Sequence, residues 1–260
     1  MAGFLSDTDA RGVATITLDR SIIHNAFDDA LIVSLTAELQ RLAEDAATRI
    51  VVLAARGRSF SAGADLGWMQ RSAAYSEAEN LRDANALAEL MRTLDALPKP
   101  TIAAIQGNAF AGGLGLIACC DIAIAVDTAE FAVTEVKLGL IPAVISPYLI
   151  AAIGTRAARR YFLTGERFDA ATALRLGLVH EIVQPDHLAV AVERAILALL
   201  DGGPVSQAAA KDLIRRVAGA KVTKTLIGET AKRIARIRVS PEGREGIAAF
   251  LEKRKPSWRQ

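Results

Sequence analysis

Ala104-Ile-Gln-Gly-Asn-Ala-Phe-Ala-Gly-Gly-Leu-Gly-Leu-Ile-Ala-Cys-Cys-Asp121 decides how this chain is read. Its first residues close an apolar strand at 101–105, its middle is a loop of small residues, and Gly112-Gly113 opens a short apolar helix. A further strand follows at 121–126. Strand, loop, helix and strand in immediate succession predict parallel α/β layering. Working outward, residues 50–54 form another apolar strand, 57–67 a Gly/Ser loop, and 76–97 a helix that Pro98 and Pro100 terminate. Residues 13–18 alternate like a half-buried strand, and 28–46 repeat apolar residues at three and four. After Glu181 the pattern is helical, at 188–200, 206–217, 222–236 and 241–253. The chain divides into an α/β core at 1–185 and a helical C-terminal region at 186–260, with no fixed repeat or low-complexity linker between them.

Of the 260 residues, 52% are hydrophobic, enough for a sizeable core. With 31 basic and 29 acidic side chains the net charge is +2, so no strong field is available to hold a nucleic-acid backbone or an anionic membrane. The two cysteines, Cys119 and Cys120, are adjacent, which suits a reducing compartment, and the N-terminus carries neither a secretory signal nor an Arg-rich leader. A cytoplasmic protein is expected. Residues 138–155 are uncharged over 18 positions, but Gly139, Pro142, Ser146 and Pro147 break the first half. That window predicts a loop and a short apolar helix that is buried or faces another subunit.

Two glycine-containing loops each follow an apolar strand: Phe60-Ser-Ala-Gly-Ala-Asp-Leu66 and Gly107-Asn-Ala-Phe-Ala-Gly-Gly113. Ligands of parallel α/β folds sit beyond the carboxyl ends of strands, and small residues there expose backbone N–H groups. Two such donors converging on one oxygen would make an oxyanion hole. Gly113-Leu-Gly115-Leu-Ile-Ala118 also matches the GxGxxA pattern of dinucleotide sites. The six residues from Gly107 to Gly112 stand between it and the strand, and the acidic residue expected at the end of the next strand would be Asp127, which stands too close. No paired histidines are visible, so a His-based metal site is not expected, and no catalytic triad is visible either; no cofactor is expected beyond the substrate that the resemblance below implies.

Four segments in order, Phe60–Leu66 and Ala104–Gly115 together with Phe131-Ala-Val-Thr-Glu-Val-Lys-Leu-Gly-Leu-Ile-Pro142 and Glu245-Gly-Ile-Ala-Ala-Phe-Leu-Glu-Lys-Arg254, resemble the crotonase superfamily of acyl-CoA enzymes. The resemblance implies a repeated ββα spiral with a C-terminal helical trimerisation region, assembled as a homotrimer or a dimer of trimers. It implies that the N–H groups of Ala64 and Gly112 form the oxyanion hole around an acyl-CoA thioester, with Glu135 as acid/base. The backbone of Ala62, Asp65, Leu66 and Gly67 would bind CoA, and Phe250 and Lys253 would close over its adenine end. Asp19-Arg20 and His24-Asn25 resemble the family's N-terminal strand and loop near the CoA base.

Glu135 lies between apolar segments, where desolvation would raise its pKa into a range useful for proton transfer. Family hydratases place a second glutamate three residues after the oxyanion-hole glycine, and this chain has Gly115 there. One carboxylate leaves two chemistries: Glu135 activates water and returns its proton to C2, or it shuttles a proton between C2 and C4. A binding protein without useful catalysis is a third reading. The finer resemblance of 111–121, 135–148 and 156–168 is to bacterial methylglutaconyl-CoA and carboxygeranoyl-CoA hydratases, which favours hydration. It directs attention to Lys137 as a cation for a second carboxylate and to Pro142-Ala-Val-Ile-Ser146 as a bulkier wall of the acyl pocket.

Overall fold

A computed structural model of the chain describes residues 3–259. Ten strands form two sheets. In the larger, β1 (Phe4–Thr8), β2 (Val13–Leu18), β3 (Ile50–Ala55), β5 (Thr101–Ile105), β7 (Ile122–Val126) and β10 (Glu181–Val183) lie in that spatial order, parallel except for the β1/β2 pair. The smaller sheet contains β4 (Ser59–Ser61), β6 (Asn108–Phe110), β8 (Glu130–Ala132) and β9 (Phe168–Asp169), with only β8/β9 antiparallel.

The alternation between sheets makes the fold a spiral. Each of β3, β5 and β7 runs in the large sheet, a two- or three-residue link carries the chain to β4, β6 or β8 in the small one, and a helix returns it. The returning helices are α2 (Leu66–Ser72) and α3 (Glu77–Asp95), then α4 (Gly112–Cys119), then α5 (Ser146–Thr164). Three ββα turns stack in this way, as the crotonase resemblance implies.

Both faces of the large sheet are covered, which explains why β3 reads as a continuous apolar run instead of an alternating one. Val51 and Leu53 join the main core with α1 (Asp29–Glu44), while Ile50 and Val52 face the opposite way and pack with Val192 and Ile196 of α7 (Leu188–Leu200). The helix starts obey ordinary capping chemistry. Asp28 accepts from the Leu31 N–H, and Ser76 with Glu79 makes a reciprocal capping box, a device contributing about 1 kcal/mol.

The expected loop at 57–67 contains β4 and the start of α2. Three residues are too few for a periodic signal, and β4 exists because its partner β6 is brought alongside. The expected helix at 222–236 is α9 (Lys224–Val239), set by the Thr223 cap, and that at 206–217 is α8 (Pro204–Val217), begun by a proline at its first position. β1, α6 (Ala170–Leu176), β6 within the expected loop at 107–113, and the short strands β8 to β10 are additional to the sequence reading. The uncharged window at 138–155 forms a loop and then the first half of α5, whose helix is interrupted at Gly154. Among the described residues no helix is long and apolar enough to cross a membrane.

Candidate active site

The first spiral turns bring the two glycine loops against one another. Gly63 has φ +88°, and a Cβ built on it would stand 2.9 Å from the Ala111 Cβ and 3.6 Å from the Gly112 nitrogen. Only glycine allows that approach. Phe27 bridges this loop in a parallel pairing: its N–H donates to the Gly63 carbonyl at 2.7 Å and its carbonyl accepts from the Asp65 N–H at 2.7 Å. Such a pairing uses the groups flanking residue 64, so the Ala64 N–H points away from Phe27.

The second donor arises at a helix start. Gly112 is the first residue of α4, whose opening N–H groups have no acceptor within the helix. Ala111 ahead of it is held at φ 48°, ψ −120°, a conformation that costs a non-glycine residue of order 1 kcal/mol or more. The Ala111 N–H is tied to the Ala132 carbonyl of β8 and its own carbonyl to the Leu114 N–H, both at 2.9 Å. These bonds fix the strained peptide and with it the direction of the Gly112 N–H. The helix dipole adds to the positive character of that position.

Ala62, Ala64, Gly112 and Glu135 all line one cavity of about 360 Å³. Glu135 opens a short 3-10 turn, Glu135–Leu138, placed by β8 just before it. Its Oε2 is buried without a hydrogen-bond partner among the described residues. Burial pushes the carboxyl above its ordinary value, and its own backbone N–H offsets this only in part.

Sequence reasoning places Ile145 in the pocket-wall segment 142–146 but misses its contact with Gly115. A Cβ on Gly115 would lie 2.3 Å from Ile145 Cγ2 and 3.1 Å from Met91 Cε, so the room beside Gly115 is already filled by hydrocarbon. Gly113 is equally enclosed, 2.9 Å from the Ser61 carbonyl by the same construction, which leaves the GxGxxA run no space for a pyrophosphate. The 142–145 segment lines the cavity, as does the pair Trp68 and Asp83, from α2 and α3. The two stand fifteen positions apart, and nothing in the sequence links them.

Other candidates lie elsewhere. Asp65 caps α2 by accepting from the Trp68 N–H, and Leu66 and Gly67 continue into that helix; none of the three lines the cavity. Phe250, on α10 (Pro241–Leu251), and Lys253, just beyond it, do not line it within one chain; Phe250 is 82% exposed. Lys137 packs its stem against Gly165, with its charge near Glu166, away from the cavity lining. Asn25 is fully buried and builds the neighbouring loop, its amide donating to the Arg56 and Ser59 carbonyls and its oxygen accepting from the Arg20 N–H. His24 meets the Ser59 hydroxyl at 3.1 Å. Both cysteine thiols are buried and pushed up, Cys120 to about 12, so neither is a ready nucleophile.

A spiral of this kind, with Ala64, Gly112 and the buried Glu135 lining one cavity, is of crotonase type. The chain belongs to the enoyl-CoA hydratase/isomerase family, whose model it matches over residues 8–260. It is 32% identical over 249 residues to the 2,3-dehydroadipyl-CoA hydratase of Escherichia coli, covering 95% of each chain. It is 33% identical to an enoyl-CoA hydratase of Alternaria alternata, covering 94% of this chain and 80% of that one. A crystal structure of an enoyl-CoA hydratase from Shewanella pealeana superimposes with a TM-score of 0.96 at 49% identity, over 98% of this chain and 96% of that one. Another from Mycobacterium smegmatis gives 0.93 at 34% identity, over 99% of both.

Proposed function

We propose that this enzyme hydrates a 2-enoyl-CoA with Glu135 as its one proton-transfer group and the N–H groups of Ala64 and Gly112 as oxyanion donors. The observation that carries the reading is the unpartnered Glu135 Oε2, in the cavity that Ala64 and Gly112 also line, while Ile145 occupies the room a second carboxylate would need.

In this mechanism Glu135 accepts a proton from water as the water oxygen bonds to C3. The C2–C3 π electrons move toward C1, and the thioester oxygen becomes an enolate oxygen held by the two N–H groups. One preorganised donor of this kind typically contributes about 3 kcal/mol. The enolate then collapses and C2 takes the proton back from Glu135, so H and OH arrive on the same face.

The backbone of Ala62 and of 65–67 would hold CoA, as the family resemblance implies. Phe250 and Lys253 would contribute to that site through the assembled enzyme, since one chain does not bring them to the cavity. Assembly as a trimer or pair of trimers is supported by exposed apolar side chains on the C-terminal helices, Ile227, Ile234, Ile247, Phe250 and Leu251 among them. A methylglutaconyl group, which the finer sequence resemblance favours, carries a second carboxylate. Lys137 is turned from the cavity, so an uncharged acyl group has the better support from the lining.

Isomerisation of a 3-enoyl-CoA is the second reading, favoured by the absence of a second carboxylate beside Gly115. Incubation with crotonyl-CoA, 3-methylglutaconyl-CoA and a 3-enoyl-CoA separates the two. Hydration lowers the enoyl-thioester absorbance and adds the mass of one water, and Glu135→Gln slows both changes by about 10² to 10⁴. A rise in absorbance with the 3-enoyl substrate alone and no mass change would establish isomerisation instead.

A further inference from the structure

Glu135 is not the only acidic side chain in the cavity. Asp83 of α3 also lines it, and the lining residues include no lysine, arginine or histidine. The Trp68 indole N–H donates to Asp83 Oδ2 at 2.9 Å and so ties α2 to α3 across the cavity wall. Among the described residues Asp83 makes no ion pair and accepts no other hydrogen bond. One carboxylate oxygen is therefore fixed by a neutral donor, and its charge is compensated by no cation. The rest of the wall is largely hydrocarbon, with Leu87, Leu140, Ile141 and Ile145 among its members.

We propose that Asp83, positioned by Trp68, is a charge filter that makes the acyl cavity select uncharged acyl groups over acyl groups ending in a carboxylate. This rests on the acyl-CoA reading of the cavity and goes beyond it by naming the acyl class. The physical basis is like-charge repulsion beside a largely hydrocarbon wall that holds no counter-cation. A terminal methyl meets hydrocarbon, whereas a terminal carboxylate would lose its water and meet Asp83 and Glu135. The Escherichia coli relative is named for a carboxylate-ended acyl group, which supplies a matched probe of the same chain length.

The test measures binding of hexanoyl-CoA and adipyl-CoA by calorimetry, and turnover of 2-hexenoyl-CoA and 2,3-dehydroadipyl-CoA, on the intact enzyme and on Asp83→Asn. Asparagine keeps an acceptor for the Trp68 indole and removes the charge. The expected result is about tenfold or greater preference for the uncharged member of each pair. That preference should shrink as salt rises from about 0.05 to about 0.5 M and fall about tenfold in Asp83→Asn. Equal or tighter binding of adipyl-CoA by the intact enzyme overturns the proposal, as does a preference that neither salt nor Asp83→Asn changes. Should the variant fail to fold, the intact enzyme's preference and its salt dependence decide. Failure of the hydration reading shows separately, as turnover of neither enoyl substrate while the binding ratio is still measurable.

Discussion

Ile145 Cγ2 lies 2.3 Å from the point where a Cβ on Gly115 would stand. α4 and the segment entering α5 pack so closely here that the glycine and the isoleucine form one steric unit. Gly115→Ala is expected to destabilise the enzyme by about 1–3 kcal/mol in a denaturant titration, because the added methyl meets both Cγ2 and Cβ of the β-branched Ile145, whose χ1 is stiff. Combining it with Ile145→Ala should recover part of that loss, and a double-mutant cycle reads the coupling. Strictly additive losses would show that the contact is not the cause.

For Glu135, burial sets the direction of the pH dependence. The raised carboxyl must lose its proton to act as a base, so kcat/KM for hydration should rise with pH along an acid limb lying above the ordinary carboxylate value of 4.5. Glu135→Gln should lower kcat by about 10² to 10⁴ and remove that limb.

Stability carries the opposite sign at the same residue. A folded-state pKa raised above the unfolded one favours the fold below the unfolded value, and that contribution is lost as pH rises through the folded value. Glu135→Gln should therefore melt higher than the native chain at neutral pH, with the gap closing toward acid pH. Thermal melts across pH would expose a constant gap, which burial of this carboxyl does not explain.

Gly63→Ala combines an unfavourable positive φ with a Cβ placed 2.9 Å from that of Ala111. A loss of about 1–3 kcal/mol is expected from strain of this kind. Because relief requires the two loops to separate, kcat should fall by more than KM rises. Steady-state kinetics on the folded variant would detect a change in KM alone, which would dissociate this contact from the oxyanion donors.

Lys211 of α8 is almost enclosed, its ammonium 2.6 Å from Asp121 Oδ2 and 2.9 Å from the Lys99 carbonyl. The same carboxylate oxygen accepts from the Thr101 N–H and hydroxyl, so one network ties the C-terminal helices to the start of β5. Lys211→Met should cost about 2–4 kcal/mol, since it leaves Asp121 without its cation in a site only partly open to water. Chemical denaturation measures the loss, and moderate salt should change it little.

The sequence by itself determined the parallel α/β class, most helices of the C-terminal region and the two glycine loops. These depend on local causes: β3 is an unbroken apolar run and β5 is apolar after Thr101, prolines stop α3, and Asp28 and Ser76 cap α1 and α3. The burial of Glu135 was legible as well from the apolar stretches on either side of it, whereas its acid/base role came only from the family resemblance. Only the tertiary structure decided the rest. β4 and β9 are too short to carry a period and exist through their partners. Gly115 reads as an absent side chain in the sequence and becomes an occupied space only when α4 meets Ile145. Trp68 and Asp83 belong to different helices, and their hydrogen bond depends on how α2 and α3 fold over the cavity. Contacts between residues distant along the chain depend on the closing of the spiral, and no local pattern encodes the distance at which two side chains come to rest.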